Sequence, residues 1–152
     1  MTTLATTTLL KAESQVGVTE VPKGSNAGPE VEIYLKSVGL GKGYSWCMAF
    51  VYWCVLQASL KNGLTNPLKK TGGVLAQFSA CKDLIVKMPQ AGYVFIMDFG
   101  HGVGHTGFVN RVFENGTIET IEGNTNNDGS REGYEVAKRI RKISQIAGFI
   151  KI

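Results

Sequence analysis

Apolar side chains fall at positions 47, 50, 51, 54, 55 and 58, the i, i+3, i+4, i+7 recurrence of a helix with one buried stripe. Upstream, LLKAESQVGV at 9–18 predicts a first helix. Pro22, Gly24, Asn26 and Gly28 then predict a loop, and PEVEIYLKSVGL predicts a second helix with Pro29 in its first turn and Gly39 past its end. GGVLAQFSACKDL predicts a fourth helix. From Gly92 the apolar period changes to two. YVFIM and HTGFVNRVF predict strands, and VFENGTIETI places an Asn-Gly pair between apolar runs, a strong hairpin signal. AGFIKI predicts a last strand. Helices first and an antiparallel sheet afterwards indicate an α+β fold, because a parallel sheet would need alternating units.

A length of 152 residues suits one domain, 1–152, whose core needs neither disulfide nor metal to hold it. No apolar run is long enough to span a bilayer. The N-terminal MTTLATTTLLKAESQ has no basic region followed by a continuous apolar one, so no secretory signal is expected. Work outside the cytoplasm would need non-classical delivery. The net charge is +4, with the densest basic cluster, KRIRK, at 138–142. No stacking aromatics or recognition helix accompany it, which argues against nucleic acid and for a solvated strand edge.

Two of the three cysteines lie in YSWCMAFVYWC, and they are seven residues apart. Two helical turns separate them by roughly 10 Å, too far for a disulfide. Ser45 suits the N-cap of this third helix, which would put Cys47 in its first turn beside free backbone N–H groups that favour a thiolate. Cys54, two turns further in, and Cys81 read as core. A thiol nucleophile needs a base, and the chain has two histidines, His101 and His105. With Asn115-Gly116 as a two-residue loop, Gly107 faces Asn124 and Val109 faces Glu122. His105, Glu122 and Asn124 then share one sheet face. Asn124 is the diagonal neighbour of His105, at roughly 7–8 Å. Glu122 lies four strand positions away, roughly 13 Å at about 3.3 Å each, and needs a bulge, a bend or a longer turn to reach the ring.

Other motifs carry less. GVGHTG at 102–107 fits a dinucleotide fingerprint in letters, but a strand follows it where a helix is required. His101 and His105 have a metal-pair spacing only on a helix, which the intervening glycines oppose. NTNNDGSREGYE at 124–135 resembles a calcium loop through Asn124, Asn126, Asp128, Gly129 and Glu135. An amide stands where its first carboxylate belongs, so a polar turn is expected and no metal or cofactor is assigned. The Asn115-Gly-Thr sequon reads simply as the hairpin turn.

Taken in order, SWCMAFVYWC, GHTGFV and IEGNT, with GSNAGPEVEIYL upstream, resemble the CHAP family of cysteine, histidine-dependent amidohydrolases/peptidases. The resemblance covers about residues 10–150 and implies a papain-like, NlpC/P60-type fold, with the nucleophile helix packed on a C-terminal antiparallel sheet. It implies Cys47 as nucleophile, His105 as base, Glu122 as the group orienting it and Asn124 as support. It also implies peptidoglycan as substrate, cut at the muramoyl–L-alanine bond or within stem or bridge peptides. Tyr44 and Trp46, flanking the nucleophile, are candidates to line the substrate groove, with packing an equal reading for Trp46. Ser45 departs from the proline frequent before Trp-Cys, and Tyr93 departs from the aspartate frequent after Gly92. A minimal chain of this kind suits a phage-type lysin, or a secreted antibacterial effector with a cognate immunity protein. The same fold also serves acyltransfer or deamidation of proteins, and a silent wall-binding module is the reading from outside catalysis.

Overall fold

The computed structural model describes residues 3–126 and 133–152, which form four α-helices and a six-stranded antiparallel sheet. The helices are α1 (Leu4–Ser14), α2 (Pro29–Ser37), α3 (Cys47–Asn62) and α4 (Val74–Ala80). The strands are β1 (Ile85–Val86), β2 (Val94–Gly100), β3 (Val103–Val112), β4 (Thr117–Thr125), β5 (Glu135–Lys142) and β6 (Gly148–Ile150). Across the sheet they run β1-β6-β2-β3-β4-β5. This is the expected α+β, papain-like arrangement of helices followed by sheet. Among the described residues no helix is long and apolar enough to cross a membrane.

The central helix, α3, is buried on more than its apolar stripe. Met48, Ala49 and Tyr52 are covered as well as Cys47, Phe50, Val51, Cys54, Val55 and Ala58. The reason is its position, with α1 and α2 on one side and β3 and β4 on the other. It stops at Gly63, whose left-handed backbone ends the helix. Ser45 does not cap its start. The cap position is Trp46, whose side chain makes no capping hydrogen bond to the helix. Trp46 is held there by the core: its indole N–H donates to buried Glu20 (2.8 Å) and its ring stacks on Tyr34.

The first helix lies earlier than its apolar pattern indicates. Threonine-rich sequence is a poor helix former, yet Thr3 caps the Thr6 N–H, and Thr7, Thr8 and Ala12 are buried. Residues 17–19 leave the helix to pair with β5, through Gly17 N–H to Val136 O and Val136 N–H to Val18 O. The fourth helix is likewise shorter than expected, and a 3-10 turn at Lys82–Leu84 leads into β1.

Alternation along the strands sorts two cores. Val94, Ile96, Phe108 and Ile121 join the helices, whereas Phe95, Met97, Val109 and Ile118 form a second cluster with Tyr93 and Phe149. Tyr93 thus serves as a packing residue, its hydroxyl 3.2 Å from the Gln90 side-chain oxygen. As anticipated for KRIRK, β5 is an edge strand.

Helix and sheet meet closely at Gly123. A Cβ there would lie 2.7 Å from Phe50 and 2.9 Å from Trp46. Gly123→Ala is therefore expected to destabilise the fold by about 1–3 kcal/mol, as overpacking does. Urea unfolding followed by tryptophan fluorescence measures it, and an unchanged midpoint would contradict this contact.

Candidate functional site

Cys47 is the first residue of α3, almost buried, and its thiol lies near enough to the His105 ring to raise the imidazole's pKa. The helix start has no side-chain cap, so its first-turn N–H dipoles remain directed at whatever negative charge gathers there. His105 lies on β3, paired with Met97 of β2. Its Nε2 is 2.8 Å from Glu122 Oε1, which leaves Nδ1 for the sulfur. The start of α3, the ring and the carboxylate thus lie together, with a hydrogen bond between ring and carboxylate.

Glu122 reaches the ring because the hairpin slips twice. Phe113 N–H bonds to Thr117 O, so the loop has three residues, 114–116, and closes on Gly116 with φ 83°. The pairing then shifts by one more residue between Val109 and Arg111. Two single slips restore the original face and move Glu122 two positions closer. Extending the Phe108–Ile121 pair places it opposite Gly107 and diagonal to His105. Gly107 leaves the needed space, since a Cβ there would be 2.8 Å from Glu122 Cγ. Asn124 does not bond the ring. It has left-handed backbone, φ 52°, where the β4–β5 pairing shifts between Glu122 and Thr125, and it lines the cleft beside His105.

The carboxylate of Glu122 has no solvent exposure, and Arg141 grips it with two bonds, Nη2 to Oε1 (2.7 Å) and Nε to Oε2 (2.8 Å). Thr120 Oγ1 donates a further bond to Oε2 (2.6 Å). Burial alone would raise its pKa. The bonds from Arg141 and His105 outweigh that and hold it well below the usual carboxylate range. Glu122 is thus ionised and only accepts, which assigns the Nε2 proton to His105. Burial lowers the affinity of His105 for a second proton, but the neighbouring Cys47 and the bonded Glu122 overcome this and raise its pKa to about 9.

A cleft of about 460 Å³ opens beside these groups, lined by Asn26, Ser45, Phe99, His105, Asn124, Asn126, Arg139 and Arg141. Trp46 does not line it: the indole is completely buried, and the expectation of a groove contact is corrected to a core role. Tyr44 is 56% exposed and stands outside the residues walling the cleft. Cys54 is buried, which pushes its thiol well above the ordinary value, and the Cys81 thiol bonds Gln77. GVGHTG opens strand β3. Among the described residues no three His, Cys, Asp or Glu side chains gather as a metal site. Asp128 and Gly129 of the calcium-like loop lie outside the described residues.

Arg141, Thr120 and Glu20 carried no signal of their own. A charged run at a strand edge does not announce that one of its arginines turns inward, and a threonine two residues before a glutamate is common on one strand face. Arg141→Met is expected to cost about 3–5 kcal/mol at neutral pH by leaving a buried carboxylate without its cation. Chemical denaturation reads this loss, and wild-type stability would refute the ion pair's importance.

A family model described as CHAP domain matches residues 39–124, more than half of the chain, including Cys47, His105, Glu122 and Asn124. No curated protein and no solved structure matches the chain. CHAP domains are a family of peptidoglycan amidase- and peptidase-type hydrolases, and this chain belongs to it.

Proposed function

We propose that this protein hydrolyses an amide bond of bacterial peptidoglycan with Cys47 as nucleophile and His105 as its acid–base partner. The nearness of Cys47 to His105, and the hydrogen bond from that ring to buried Glu122 at the edge of an open polar cleft, carry this reading. The thiolate adds to the amide carbonyl, and the negative oxygen meets the N–H groups at the start of α3. His105 protonates the leaving amine, and a thioester remains on Cys47. Water then attacks as His105 takes its proton, releasing the carboxylic acid. Glu122 keeps the ring in the tautomer that presents Nδ1 to sulfur. Asn124 contributes to the cleft wall. Delivery to the wall by lysis or by a secretion machine belongs to the same proposal.

Digestion of purified peptidoglycan, with mass spectrometry of the products, tests the reading. Wild type is expected to release new amine and carboxyl ends, Cys47→Ala and His105→Ala none, and Cys54→Ser nearly the wild-type amount. Equal product from the Cys47 variant would sink the assignment.

The chemistry also sets a pH limb. His105 must carry the proton for the leaving amine, so kcat/KM should fall as pH rises through about 9. Glu122 raises that value, so Glu122→Gln should move the limb towards neutral. A limb that stays put would show that the carboxylate does not set the titration.

A further inference from the structure

The hydrolase reading leaves one strong cation in the cleft without a role. Arg139 lies two residues before Arg141 on β5, hence on the same strand face, and lines the cleft together with His105 and Asn124. The two arginines differ in their partners. Arg141 is matched by Glu122, whereas none of the ion pairs among the described residues includes Arg139. Its bonds go to neutral acceptors, the Asn126 carbonyl and, at 3.4 Å, Thr125 Oγ1. Both start from Nη1. They fasten the guanidinium to the end of β4 without cancelling its charge. The Nε–Nη2 edge, the fork geometry that grips a carboxylate with two parallel bonds, makes no bond among the described residues.

The surroundings favour an anion too. No described residue lining the cleft is acidic, and Glu122 is shut behind the histidine and Arg141. Phe99, which also lines the cleft, is 58% exposed and adds an apolar surface to the cationic one. A ligand that satisfies both surfaces has a neutral chain with a carboxylate at one side. Peptidoglycan stems offer this group where glutamate is linked through its γ-carboxyl, leaving the α-carboxyl beside the chain. In some walls that group is a carboxamide, which has one acceptor oxygen and no charge.

We propose that the Nε–Nη2 edge of Arg139 binds a substrate carboxylate close to the cleaved amide, so that the enzyme prefers stems with a free α-carboxyl over amidated ones. This selectivity rests on the hydrolase reading above. It also lies outside the family-matched residues, because Arg139 follows residue 124. The assignment concerns binding and leaves the order of chemical steps as described.

Two muropeptide preparations differing only in isoglutamate or isoglutamine provide the test, with kcat/KM measured on each. Wild type is expected to favour the carboxylate by about tenfold, the effect of one charge-assisted contact. Arg139→Gln should bring the ratio close to one through loss on the carboxylate substrate. Arg139→Lys, which keeps the charge but not the fork, should retain part of it. Equal rates on both substrates by wild type would overturn the assignment without any variant. So would an Arg139→Gln protein that loses both rates equally, since that marks a strap holding β4. Turnover of neither substrate by wild type, with Cys47→Ala indistinguishable, would instead remove the hydrolase reading and the inference with it.

Discussion

The site depends on a buried negative charge. Glu122 has no contact with solvent, and a lone carboxylate in that position would take up a proton. Arg141, Thr120 and His105 together supply enough hydrogen bonds to keep it ionised. Ionisation removes any donor from the carboxylate, so the histidine must point Nε2–H at it and offer the other nitrogen to the thiol. The Glu122–Arg141 ion pair beside the histidine thereby determines which atom of the imidazole is left for the sulfur.

Close packing provides the rest. Gly107 lets the glutamate cross its strand, and Gly123 lets Phe50 and Trp46 approach the sheet. Trp46 is pinned by Glu20 and Tyr34, so the helix start is positioned by a residue with no part in the chemistry. Rigid placement of this kind is what a nucleophile needs, because a small displacement separates it from its base.

Much of this was legible in the residues. The apolar spacing from Cys47 to Ala58 predicted α3, and the change of period at Gly92 predicted the sheet. The paired appearance of a helix-opening cysteine and a strand histidine singled out two groups that the fold places together. Hairpin register was not legible, because Asn-Gly marks a turn without specifying how many residues close it. The second slip, around Asn110, has no local signature either. Arg141 escaped because its partner is nineteen residues away, on the neighbouring strand. Ser45 has the chemistry of a cap, but the buried indole beside it decides where the helix begins.

The strand order has a consequence for when the site comes into being. β6, residues 148–150, lies between β1 and β2, and Phe149 and Ile150 are buried there. Pairings so distant along the chain form late. During translation Cys47 emerges long before His105, Glu122 and Arg141, so its thiol precedes every group that surrounds it in the folded site. The sheet is complete only once residues 148–150 are free to pair between β1 and β2, so the site's full setting depends on the last strand in the chain order.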